Sequence, residues 1–119
     1  MWRNQRDAVL DMRQACSEAL AFAAVYRADD PNLEKMRLRA IERCLAVLGE
    51  AAKRVPDELR GRYSHIPWRA MAGLRDVLVH DYFGVDPAVL AQVLTEELPK
   101  LSRELDDLCA AEGWFGDDA

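Results

Sequence analysis

A chain of 119 residues, half of them hydrophobic and 31% charged, can bury one core but is short of the size at which cores divide, and its few Gly and Pro exclude a disordered chain except at the ends. The net charge of -5 argues against a domain that holds nucleic acid by bulk attraction, since such domains are ordinarily basic. No apolar run reaches the roughly 18 residues of a membrane span, and Met1-Trp2-Arg3-Asn4-Gln5-Arg6 leads into acidic and polar residues rather than a signal sequence, so a cytoplasmic protein is expected.

Val9, Met12, Cys16, Leu20 and Ala23 recur at spacings of three and four, which predicts an amphipathic helix from about Trp2 to Arg27. Asp29-Asp30-Pro31 then offers an N-cap followed by proline at the first helical position, where its missing N–H costs nothing. Leu33, Met36, Ala40, Ile41, Cys44, Val47, Leu48 and Ala51 form the stripe of a second long helix, ending near Val55-Pro56. A short helix is expected over Asp57 to Tyr63 and a turn over Ser64-His65-Ile66-Pro67, because a residue before proline is driven out of the helical region.

Pro67 can open the next helix, whose apolar side is Met71, Leu74, Val77 and Leu78. Phe83-Gly84-Val85 reads as a turn, and Asp86-Pro87 repeats the cap-then-proline device. The last helix carries Val89, Leu90, Val93, Leu94, Leu98, Leu101, Leu105 and Leu108, with a kink expected at Pro99. The domain closes near residue 112, and 113–119 forms a C-terminal tail in which Trp114 and Phe115 either pack back on the bundle or meet a partner. No stretch alternates as a strand would, so the expected fold is all-α, an antiparallel bundle of four to five helices.

Cys16, Cys44 and Cys109 are odd in number, widely spaced and at apolar helical positions; core packing is expected rather than a disulfide or a zinc site. Charge is unevenly distributed. Residues 53–75 hold Lys53, Arg54, Arg60, Arg62, Arg69 and Arg75 against Asp57 and Glu58, whereas residues 81–119 hold ten acidic side chains against Lys100 and Arg103. A basic segment in an acidic molecule is a candidate polyanion site, to be weighed against a plain solvated face.

Phosphate loops, nucleophile elbows and His-x-x-x-His pairs are absent from the sequence, so no metal or cofactor is called for. The segment GLRDVLVHDYF, residues 73–83, gathers the titratable candidates. At about 100° per residue, Arg69, Gly73, Asp76 and His80 share one flank and Arg75, Val79 and Tyr82 the next, away from Leu74, Val77 and Leu78. Asp76, one turn before His80, can accept from the imidazole and fix its tautomer, and Gly73 leaves room for a backbone to approach. An imidazole beside a guanidinium suits RNA cleavage in which the 2'-OH attacks its own phosphate: the imidazole moves a proton and the guanidinium binds the phosphorane. Such a cleavage benefits from an acid and a base together, which a two-fold dimer would supply from two copies of the flank.

Arg75-x4-His80-x-Tyr82, set within residues 41–101 with GEAAKR, IPW, GLRDVLVHDYFGVD and the LP at Leu98-Pro99, resembles the HepT-like toxins, small helical ribonucleases of the HEPN superfamily. The first 40 residues match in helical pattern alone. The resemblance implies a homodimer of helical bundles and metal-independent RNA cleavage with Arg75 and His80 in the catalytic positions. Asp76 stands where relatives often carry Asn; a carboxylate would repel phosphate, so it is assigned to orienting His80 or Arg75. The resemblance further implies a toxin of a toxin-antitoxin pair, of the HepT/MntA kind, whose nucleotidyltransferase antitoxin, MntA-like, transfers AMP to Tyr82. Lys53, Arg54, Arg60, Arg62 and Arg69 are candidates for guiding RNA to the cleft that the two motif helices of such a homodimer would share, and His65 for a substrate contact. The competing readings are a non-catalytic helical subunit that presents substrate to a nucleotidyltransferase, and an antitoxin or scaffold using the acidic C-terminal helix.

Overall fold

The structure, a computed structural model, describes residues 4–25, 29–74 and 87–115. The first helix, α1, spans Gln5–Ala24, shorter at both ends than the predicted Trp2 to Arg27, because Asn4 is its N-cap and Val25 is already extended. Its start is fixed by Asn4, whose side-chain oxygen accepts from the Asp7 N–H at 2.9 Å, with Asp7 also suiting the positive end of the helix. The helix α2 spans Pro31–Lys53, and Asp30 caps it as the sequence predicts, accepting from Asn32 and Leu33 at 3.0 and 3.2 Å. After α3, Asp57–Arg62, the chain turns through Ile66, whose N–H donates to Tyr63 O at 3.0 Å. Pro67 then occupies the N-cap of α4, Trp68–Ala72.

The last helical run begins with α5, Pro87–Gln92, and ends with α6, Leu98–Glu112. Between them, Val93–Glu97 forms a turn of π-helix, in which the Leu98 N–H reaches back to Val93 O. This is how the chain accommodates Pro99. Its nitrogen has no proton for the carbonyl four residues back and its ring would strike that carbonyl in a regular helix. The wider turn relieves both, where the sequence predicts a kink.

Side-chain contacts give the antiparallel arrangement directly. Arg37 of α2 donates to Phe22 O and Ala23 O at the end of α1, at 3.1 and 2.8 Å, while Arg54 at the far end of α2 meets Asp11 at 2.9 Å. On the other side of α1, Arg13 pairs with Asp106 at 2.9 Å and the Cys16 thiol donates to Leu98 O at 3.4 Å, so α6 also runs opposite to α1. The helix α4 packs on α2. Every regular element among the described residues is helical, which is the all-α bundle the sequence predicts.

Val9, Met12 and Cys16 of α1 are fully buried against Ile41, Leu45, Leu48 and Ala52 of α2 and Leu98, Leu101, Leu105 and Leu108 of α6. Ala8, Ala15 and Ala19 complete the α1 face, and small side chains of this kind let helices approach closely. The predicted stripe is wider than the buried one. Met36 is 65% exposed and Val25 50%, and with Phe22 and Leu33 they line an open apolar groove where α1 ends and α2 begins. Among the described residues no polar side chain is buried, and no helix is long and apolar enough to cross a membrane.

The C-terminus resolves one alternative. Gly113 closes α6 in the left-handed region at φ 77°, and the Trp114 N–H donates to Cys109 O at 2.9 Å. This closure, for which glycine is suited, turns Trp114 back onto the core and sets the Phe115 ring 4.5 Å beneath the Arg13 guanidinium. The two aromatics therefore pack on their own bundle.

Candidate functional site

Arg75, Asp76, His80 and Tyr82 lie outside the described residues. What the fold does define is the platform that leads into them. Trp68, Met71 and Leu74 are buried, and the Trp68 indole N–H donates to Tyr63 O at 3.0 Å. These contacts pin α4 to the core just before Arg75.

On the outer side of this platform, Arg69, Ala70, Gly73 and Leu74 face Val89, Val93 and Glu97 across a cleft of about 270 Å3. Arg69 and Gly73, two members of the flank the sequence assigns to function, thus share one depression. A Cβ on Gly73 would meet only its own turn, the carbonyl oxygens of Arg69 and Ala70 at 3.5 and 3.9 Å. No other described backbone of the chain approaches it. Glu97 is the residue that sequence reasoning missed. In one dimension it is one more acid in an acidic helix, and only its spacing of four from Val93 signals the shared side.

The basic segment divides into separate roles. Arg60 donates from Nη2 to Ala52 O and from Nε to Val55 O, both at 2.8 Å, so it caps the carbonyl end of α2 as Arg37 caps that of α1. Arg54 is held by Asp11, Lys53 lies 3.5 Å from Glu50, and Arg62 sits between Glu58 and Glu112 at 3.6 and 3.3 Å. Among the described residues Arg69 is exposed and in no ion pair, which leaves its charge available. Replacing Arg60 with alanine is expected to destabilise the fold by about 1–3 kcal/mol, because two carbonyls lose a charged donor. Urea unfolding measures this, and an unchanged midpoint would remove Arg60 from the capping role.

The remaining titratable groups are structural. Burial foremost pushes the thiols of Cys16, Cys44 and Cys109 up, Cys16 to about 11 with Asp106 adding to the effect, so none is a poised nucleophile. The Tyr63 hydroxyl donates to Glu112 at 2.6 Å, and that hydrogen bond is the main cause of its raised pKa. His65 is exposed in the turn, its ring edge-on to Tyr63 with centroids 6.4 Å apart. No group of three His, Cys, Asp or Glu among the described residues gathers where a metal ion could be held.

Comparison with known proteins places these features in a family. The family described as Ribonuclease HepT-like matches residues 12–108, a span that includes the cleft and the Arg75–Tyr82 motif. A protein of Thermococcus cleftensis named as a probable ribonuclease HepT is 34% identical over 108 residues, covering 91% of this chain and 98% of that relative. A protein of Methanocaldococcus jannaschii named as a candidate RNase is 42% identical over 69 residues, 58% of this chain and 57% of the relative. Another, from Caldanaerobacter subterraneus, is 38% identical over 74 residues, 62% and 66% of the two chains. Against these last two relatives the chain spans about 57% and 66% of their length. No solved structure matches the chain.

Proposed function

Because this chain belongs to the HepT-like ribonuclease family, we propose that it is an RNA endonuclease that needs no metal, acts as a homodimer, and serves as the toxin of a toxin-antitoxin pair. The observation that carries this reading is the extent of the family match, residues 12–108, with the Arg75-x4-His80-x-Tyr82 motif intact inside it.

In the proposed reaction the 2'-oxygen attacks the neighbouring phosphorus and the bond to the 5'-oxygen breaks, leaving a cyclic phosphate and a 5'-hydroxyl. One imidazole takes the 2'-OH proton and an imidazolium returns a proton to the departing 5'-oxygen, so protons balance across the step. His80 and the partner subunit's His80 fill these two roles. Arg75 binds the equatorial phosphoryl oxygens, where negative charge grows as the phosphorane forms. Asp76 orients His80 or Arg75. Arg69, with its unpaired charge, and Lys53, Arg54 and Arg62 attract RNA, whereas Arg60 is committed to helix capping.

The antitoxin in this reading is an MntA-like nucleotidyltransferase that transfers AMP to Tyr82. Seven residues from Arg75 on the flank the sequence predicts, an anionic AMP group would fill the cleft shared by the two subunits and compete for the guanidinium. Co-expression with the cognate nucleotidyltransferase tests it. Wild type is expected to gain the mass of AMP on Tyr82 and lose toxicity, whereas Tyr82→Phe stays unmodified and arrests growth. A Tyr82→Phe protein silenced as fully as wild type would sink the modification model.

A further inference from the structure

We propose that the cleft between α4 and the π turn is a guanine-binding subsite, with Glu97 reading the base and Arg69 holding a flanking phosphate. The inference rests on the ribonuclease reading above and adds a substrate preference to it.

Three features point to a nucleobase. At about 270 Å3, the cleft lies just under the ~300 Å3 at which small-ligand pockets begin, the scale of one nucleoside rather than a protein segment. Its wall is apolar: Met71, Leu74 and Val93 are almost fully buried beneath it and Val89 is 37% exposed at its rim. A flat base can bury its face there, as RNA readers splay single-stranded bases out of the stack. Its two charges are opposite and, among the described residues, neither the Arg69 nor the Glu97 side chain is in an ion pair or hydrogen bond. A cation and an anion left apart across a small cleft suit a ligand that brings an anion and a pair of donors.

The chemistry of the bases selects guanine. Its Watson–Crick edge presents N1–H and the exocyclic amine side by side, spaced to meet the two oxygens of one carboxylate. Adenine and cytosine each set an acceptor beside their amine, which a carboxylate repels, and uracil's single N–H lies between two carbonyls. Charge-assisted pairs of this kind are the stronger class of hydrogen bond. The phosphate attached to the bound nucleoside is then the anion for Arg69. Placement supports a role beside the reaction, because Leu74 in the cleft wall immediately precedes Arg75 in the chain. The π turn supports it as well, since such turns occur frequently at functional sites, and Glu97 is its last residue.

The test is cleavage of a random-sequence pool of single-stranded oligoribonucleotides by the purified full chain, with cut sites mapped by sequencing. Wild type is expected to enrich guanine about tenfold or more at one position flanking the cut. Glu97→Gln should bring that enrichment to within about twofold of the input. Arg69→Ala should raise KM for all sequences and leave the guanine preference unchanged. Cleavage by wild type with no guanine preference, or a preference retained in Glu97→Gln, overturns the subsite and leaves the ribonuclease reading standing. No cleavage of any RNA by wild type overturns both. Glu97 is exposed, so the charge-neutral variant is expected to keep the wild-type melting temperature, which separates loss of recognition from loss of fold.

Discussion

Alanine at Arg75 or at His80 is expected to lower RNA cleavage by the purified protein about 10^2- to 10^4-fold, the range for loss of a general acid–base or of a charge-stabilising donor. The two losses have separate physical origins. Without His80 the motif loses its one imidazole, so the proton transfers of the proposed reaction fall to water. Without Arg75 the phosphorane keeps its protons in order but loses a bidentate partner for its developing charge. Because both residues would serve one transition state in the proposed reaction, the double variant should be little worse than the poorer single one. Initial rates on labelled RNA in the presence of a chelator measure this, with circular dichroism and an oligomeric mass equal to wild type confirming that each variant is folded. Full activity in either single variant would exclude that residue from the chemistry, and activity lost only with the chelator would exclude the metal-independent route.

Much of the bundle was legible in the sequence because its boundaries are written in local chemistry. Asp30-Pro31 caps and opens α2 as predicted, since proline and an oxygen-bearing side chain favour that geometry regardless of what packs nearby. The three cysteines read as core from their helical phase, and all are buried. What the pattern could not supply was depth. Leu33, Met36, Ala40 and Ile41 carry the same stripe, yet Ile41 is fully buried and Met36 is 65% exposed; the difference depends on where α1 ends at Ala24, a tertiary fact. Charge was equally opaque. Arg60 and Arg69 look alike in a basic run, but one donates to two helix carbonyls and the other faces an open cleft. Glu97 faces Arg69 because α4 and the last helical run line one cleft, a juxtaposition that the spacing of Glu97 from Val93 does not encode.

The contrast along α2 gives the second large expectation. Leu48→Ala is expected to destabilise the fold by about 2–5 kcal/mol, whereas Met36→Ala, on the same predicted stripe, should change stability by no more than about 0.5 kcal/mol. Leu48 is 0% exposed and belongs to the core shared with α1 and α6, so truncation removes its transfer energy and leaves a cavity that rigid neighbours fill only partly. The core around it includes Ala51, Ala52 and Ala15, side chains too short to move into the space. Met36 is already in water, and alanine there gives up little contact while raising helix propensity slightly. Urea unfolding at a fixed protein concentration measures both, the fixed concentration being required because any self-association adds stability by mass action. Equal midpoints for Leu48→Ala and wild type would contradict the packing of α2 in the core. A Met36→Ala loss that grows with protomer concentration would instead mean that the groove of Phe22, Val25 and Met36 is covered by a second copy, with the stripe that seemed too wide for one bundle being completed between two.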